Sequence, residues 1–256
     1  MDDTREGGVA YEERSTKSVS RDGETGATGV DPEQLWLGHL QPRRGRRPAY
    51  SREAITAAAV ELADAEGLEA VTMRRVAARV GAGVMSLYSY APDKETLLEL
   101  MVDHVSGELP TTVAPTGDWR ADIKAVAHLQ RALMLRHPWL PAALSTRRTP
   151  GPHTLAFMER ALAALRPTGL DGAARLEVFA QLTAFVVGHV THEIAQASAS
   201  QAPGRAAAEA RYLAAVAADG HHPELAAALS APGRPLTPEA TFTRFLNRLI
   251  DGLGSD

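Results

Sequence analysis

The chain has no cysteine. Disulfides, thiolate metal ligands and cysteine nucleophiles are therefore excluded. No apolar run approaches the roughly 18 residues that a membrane-spanning helix needs. The start, "MDDTREGGVAYEERSTKSVSRDGETG", lacks the basic-then-apolar layout of an export signal. These absences predict a cytoplasmic protein with no membrane partner. No stretch alternates apolar and polar residues in the manner of a strand, and there is no glycine-rich phosphate loop or nucleophile motif. With 27 basic against 31 acidic residues the net charge is −4, so the molecule as a whole is not a basic nucleic-acid binder.

Hydrophobic residues make up 45% of the 256 positions, enough for a proper globular core. Residues 1–48 are rich in Gly, Ser, Thr and charge and read as a disordered arm. Two features interrupt that arm. Leu35, Trp36, Leu37 and Leu40 form a small apolar island that offers the arm a docking point as the alternative to disorder, and Arg43, Arg44, Arg46 and Arg47 form a basic cluster just before Arg52. A local patch of this kind matters more for phosphate binding than the global charge.

From Ser51 onward the sequence reads as helix. Ser51 caps a first helix whose apolar face is Ala54, Ile55, Ala58, Ala59, Leu62 and Ala63, and Gly67 ends it. Thr72 is the cap expected for a second helix, Met73–Val80, stopped by Gly81, and a third short helix is expected over Val84–Tyr90. Pro92 and Asp93 open a fourth, with Leu97, Leu98, Leu100, Met101, Val102 and Val105 as its apolar positions. "PTTVAPTG" at 110–117 marks a domain boundary. Further helices are expected over about 118–136, 138–146, 152–165, 171–199, 204–218 and 238–252. The fold class is all-α, with a domain over 49–109 and a larger helical one over 110–252.

The stretch "TMRRVAARVGAGVMSLYSYAPDK" meets the requirements of a helix-turn-helix. Ala77 is small where the facing helix must approach, and Gly81 supplies the positive φ of the turn. Val76, Val80, Leu87 and Tyr90 have the spacing to lock the helix pair to its neighbours, leaving the far side of the second helix free for a major groove.

With Gly67, Thr72, Met73, Arg74, Val76, Ala77, Gly81, Leu87, Tyr88, Lys94, Leu97 and Leu98 in order, residues 51–105 resemble the DNA-binding domain of the tetracycline-repressor family of bacterial regulators. The resemblance implies a homodimer on a double-stranded, pseudopalindromic operator. Thr72 and the first amides of its helix are expected to hold a phosphate, and Arg74 and Arg75 to reach phosphate or a guanine edge. Val84, Met85, Ser86 and Ser89 are expected to point outward, with Tyr88 and Tyr90 flanking the groove and Lys94 gripping the backbone. The basic cluster reads either as a minor-groove tail or as a solvated charged linker.

Residues beyond 110 resemble the ligand-binding domain of the subgroup around the tetracycline repressor itself, through "DW…RHPW…G…L" and the closing "FTRFLNRLIDGL". This implies a small-molecule effector, no resident cofactor, and a dimer seam built from the helices near 171–199 and 238–252. Phe179, Leu182, Val186, Val190, Phe245 and Leu249 are the seam candidates. Tetracycline-binding members carry a histidine before a "TRP" turn. Here "AALSTRRTP" places Ala143 there, which speaks against tetracycline–magnesium recognition.

Candidate pocket residues are His128, Met134, Trp139, Thr146, Arg147, Phe157, Phe185, His189 and His192. His137 is expected to cap the end of its helix. His189, His192 and Glu193 also suggest an alternative, a metal-dependent hydrolase. That alternative lacks a third ligand and the HExxH arrangement.

Overall fold

The computed structural model describes residues 30–37, 50–110, 115–146, 149–200, 203–230 and 236–253. All regular structure among them is helical. The elements are α1 (Pro32–Trp36), α2 (Arg52–Glu66), α3 (Met73–Val80), α4 (Val84–Leu87), α5 (Lys94–Ser106), α6 (Trp119–Arg136) and α7 (Leu140–Leu144). They continue with α8 (Pro152–Ala164), α9 (Gly172–Ser200), α10 (Pro203–Ala218), α11 (Pro223–Ser230) and α12 (Pro238–Gly252). Arg43, Arg44, Arg46, Arg47 and Arg147 lie outside the described residues.

Three side-chain caps start the head. Ser51 Oγ accepts the Ala54 amide, Thr72 Oγ1 the Arg75 amide at 3.3 Å, and Asp93 Oδ1 the Thr96 amide at 2.7 Å. Each such cap is worth about 1 kcal/mol. Gly67 and Gly81 close α2 and α3 at φ +84° and +72°. Ile55, Ala59 and Leu62 of α2 are buried with Val76 and Ala77 of α3, Leu87 of α4 and Leu97 and Met101 of α5. Ala54, expected on the inner face of α2, is exposed. The third helix is shorter than expected: it ends at Leu87, and residues 88–90 form a turn.

The body is a bundle in which α6 packs on α8, α9 and α12, with α10 against α9 and α11. α5 reaches α7 and α8, so the head's last helix is also a wall of the body, and one contiguous apolar cluster runs through both. Helix α11, which was not among the expected helices, carries no buried residue.

The N-terminal island departs from the disordered arm expected over 1–48. Asp31 caps α1, Leu35 is 1% exposed and Trp36 packs on the core. Burying that leucine contributes about 2 kcal/mol, which adds to the Asp31 cap and the Trp36 contact in holding the short helix on the core. Residues 38–49, which follow, are outside the described set.

Candidate DNA-reading head and effector body

The turn of the helix-turn-helix is held from outside. Tyr50 donates its hydroxyl to the Gly81 carbonyl at 2.5 Å, and Tyr90 donates its hydroxyl to the Tyr50 carbonyl at 2.9 Å. Tyr50 thus buttresses both ends of the reading unit, a role with no local sequence signal because its partners are distant in the chain. Tyr90, expected to flank a groove, is half-buried with its hydroxyl proton committed to this brace. Val84 is likewise half-buried against the core.

Arg75 is engaged by Glu66 Oε1 at 2.6 Å. That contact holds the Glu66 carboxyl below its ordinary range. Arg79 is similarly paired with Glu61. Ser89 donates its hydroxyl to the Ser86 carbonyl at 2.6 Å, closing the turn after α4. What faces outward is Thr72, Arg74, Met85 (82% exposed), Ser86, Ser89 and Tyr88 (42%), with half-buried Lys94 at the start of α5. Arg74 thus differs from Arg75 and Arg79 in lacking an acidic partner among the described residues. Among the described residues the head therefore offers Arg74 and Lys94 without an acidic partner, an apolar tip and hydroxyls around the end of α4.

In the body, His128, Phe185 and His189 do come together, around a residue absent from the candidates. Phe242 of α12 is fully buried. Its ring lies 5.1 Å from His128, 5.1 Å from His189 and 5.6 Å from Phe185. Burial pushes the His189 imidazole below its ordinary pKa, with nearby Glu193 opposing that shift. The Arg131 guanidinium sits 5.3 Å from the Phe242 ring and binds the Glu193 carboxylate through two nitrogens at 3.0 and 2.7 Å. It also pairs with Glu239, which faces His128 at 3.2 Å. This network ties α6, α9 and α12 together. Gln130 Nε2 donates to Thr183 Oγ1 at 2.9 Å, while Gln130 Oε1 and Asn247 Oδ1 are buried acceptors without a partner among the described residues.

Other candidates sit elsewhere. Met134 and Phe157 are core residues, Thr146 is exposed, and His192 is exposed, one turn beyond His189 on α9. Trp139 is buried, donating its indole N–H to Asp64 Oδ1 at 2.7 Å, so it seals the junction between head and body. His137 does end α6, and its ring reaches further than a cap: Nδ1 lies 2.8 Å from Asp64 Oδ1 and Nε2 3.1 Å from Glu108 Oε1. A cleft of about 480 Å³ beside Trp119, Glu177 and Leu253 is lined by none of the expected pocket residues. The same holds for a cavity of about 560 Å³ between α10 and α11.

The hydrolase alternative loses its carboxylate, since Glu193 is bound by Arg131. No group of three metal-ligating side chains occurs among the described residues.

The seam candidates are also redistributed. Leu182, Val186 and Val190 are buried within the protomer, facing its own helices, and Phe179 and Leu249 are half-buried against the same core. Phe245 is 42% exposed, with Arg244 and Arg248 beside its ring. The outer side of α9 is instead Leu176, Ala180, Ala184 and Gly188. A helix apolar on two sides was expected, but the bulkier side turns inward and the small-residue side outward.

No helix among the described residues is long and apolar enough to cross a membrane. Residues 55–101 match the family model of bacterial regulatory proteins of the tetR family, and residues 110–255 match the tetracyclin repressor-like C-terminal domain. The transcriptional repressor DrrR1 of Streptomyces coeruleorubidus is 37% identical over 229 residues, spanning 86% of this chain and 83% of the relative. A transcriptional regulator of Saccharopolyspora erythraea is 34% identical over 240 residues, 94% of this chain and 96% of that one. Among solved structures, ActR of Streptomyces coelicolor bound to actinorhodin superposes with a TM-score of 0.67 at 27% identity, covering 81% of this chain and 99% of ActR. The chain belongs to the TetR family of helix-turn-helix transcriptional regulators.

Proposed function

We propose that the protein is a homodimeric repressor that leaves its operator when a bulky organic molecule enters the body. The carrying observation is the outward set on the head. Arg74 without an acidic partner, Met85, Ser86 and Tyr88 surround the exposed end of a helix whose entry and turn are fixed by Thr72, Gly81 and Tyr50. Thr72, Arg74 and Lys94 hold phosphates, Met85 reads thymine methyls, and Tyr88 with the serines borders the groove. Arg75, tied to Glu66, contributes mainly by keeping α3 seated on α2. The reading head spans 49–109 and the effector and dimer domain 110–252.

The seam of the dimer is the small-residue side of α9 with Phe245 of α12, where close backbone approach is sterically open. For the effector, the likeness to ActR, which binds actinorhodin, supports a large ring system. The unpartnered oxygens of Gln130 and Asn247 suit hydroxyl or amine donors on such a molecule. The protein acts as a regulator in the cytoplasm and not as an enzyme.

Selection of duplexes from a random library by the purified protein tests this reading. An inverted repeat is expected, with half-sites about one helical turn apart, and actinorhodin serves as the first releasing probe. A folded protein that enriches no repeat under any salt condition refutes the reading head.

A further inference from the structure

Helix α8 begins without a side-chain cap of its own, because its N-cap is Gly151. The missing group comes from another helix. Asp103 of α5, buried, accepts the Thr154 amide with Oδ1 at 3.0 Å and faces His153 Nδ1 with Oδ2 at 3.0 Å. Ser106, one turn on, accepts from the Thr154 hydroxyl at 3.1 Å. The head's last helix therefore caps the body's α8, satisfying a donor that would otherwise be stranded.

The N-terminal segment closes over this joint. A Cβ built on Gly151 would collide with the Asp103 carboxyl and lie 2.7 Å from the Trp36 ring. Glycine is thus required by the cap and by the tryptophan together. Leu35 is buried beside them, and Arg52 of α2 donates to the Leu35 carbonyl at 3.3 Å. A cavity of about 230 Å³ under the segment is lined from α1, α2, α5 and the start of α8, so the segment touches head and body at once.

We infer that residues 31–37 are a strap that locks the Asp103 cap onto α8 and so holds the DNA-reading head at one angle to the effector body. An effector acting through the body must move α5 against this strap. Its seating sets how far the head swings, and a chain without it retains the fold and loses the fixed angle. Water enters the joint when Trp36 leaves, and the Asp103 carboxylate then exchanges its α8 partners for solvent.

The test uses the full-length, DNA-free protein and Trp36→Ala, with Leu35→Asp as a second strap variant. Hydrogen exchange at residues 152–156 is expected to rise about tenfold in both variants while α3 keeps its protection. Because the chain has no cysteine, labels at Glu69→Cys on the head and Glu159→Cys on α8 report the angle. Labelled chains are diluted with excess unlabelled chain so that only the distance within one chain is read by pulsed spin resonance. A narrow distribution that broadens in the strap variants supports the inference. Unchanged exchange at α8 overturns it, as does increased exchange with an unchanged distance distribution. Loss of protection throughout α3 as well, in the milder Trp36→Ala, also overturns it, because the segment is then part of the fold and not a strap on it.

Discussion

Head and body use charge in opposite ways. In the head, the acidic residues Glu61 and Glu66 engage Arg79 and Arg75 at the surface, and Arg74 is left facing solvent. In the body, Arg131 is drawn inside, 11% exposed at its side chain, between Glu193 at 16% and Glu239 at 56%. The surface pairs contribute little, since exposed ion pairs are worth about 0–1 kcal/mol. The inner one differs because either partner alone is a nearly dry charge. The head leaves Arg74 open to a polyanion that arrives from outside, whereas the body uses Arg131 to bind three helices around Phe242.

This contrast is broken most severely at Arg131. Arg131→Met leaves the Glu193 carboxylate without its partner and is expected to cost about 3 kcal/mol of stability, read as a lower unfolding midpoint in denaturant. The double variant with Glu193→Leu should recover most of that loss. A single variant as stable as the parent would mean that the network is solvated and does not join the helices. Helices α3 and α4 should keep their exchange protection in the double variant.

On the head, the corresponding lever is Gly81, at φ +72° with its carbonyl accepting from Tyr50. Gly81→Ala places a Cβ in the left-handed region, at a cost of about 1–2 kcal/mol. The damage is local, because the substituted atom meets nothing closer than the Tyr50 hydroxyl at 3.9 Å. DNA affinity should fall while effector binding by the body persists, measured by titration with a selected duplex and with a molecule found to release that duplex. Equal loss of both activities would show that the two regions are not separable at this glycine.

Arg74 and Arg75 sharpen the comparison further. Arg74→Ala is expected to weaken duplex binding about tenfold and to lower the salt slope by about one, with no change in stability. Arg75→Ala, whose side chain is already tied to Glu66, should change the slope less. Reversal of that order in a salt titration would reassign the phosphate contact to Arg75.

How much of this was legible follows from the same contrast. The reading unit was visible because each position is fixed by local backbone needs. Thr72 satisfies the first amides of α3, Gly81 takes a φ that other residues resist, and Ala77 is small at a close approach. The end of α4 was overestimated because Ser86, Leu87 and Tyr88 suit a helix as well as a turn. The back-bond from Ser89 and the pull of Tyr90 toward Tyr50 decide it.

In the body, periodicity located the helices but not their rotation. Val186 and Gly188 are neighbours on one helix, and only the packing of α6 against α9 shows that the valine goes inside. Phe242, Asp103 and the Trp139–Asp64 bond were beyond reach for a similar reason. Each is defined by a partner far away in sequence, and nothing local distinguishes a phenylalanine that anchors a cluster from one that covers a seam.

The smallest expected effect lies at His189, where the body's inward packing acts on a titrating group. Its pKa is lowered in the folded chain, first by burial and also by Arg131 and His192, against the opposing pull of Glu193. The unfolded chain binds the proton more readily, so its stability contribution is fully present above the ordinary histidine range and is lost as pH falls through the lowered native value. Unfolding midpoints should therefore decline from pH 7 toward pH 5 with a component that His189→Gln removes. Head variants such as Arg74→Ala should leave that component intact. An unaltered slope in His189→Gln would show that the acid sensitivity does not arise from this imidazole.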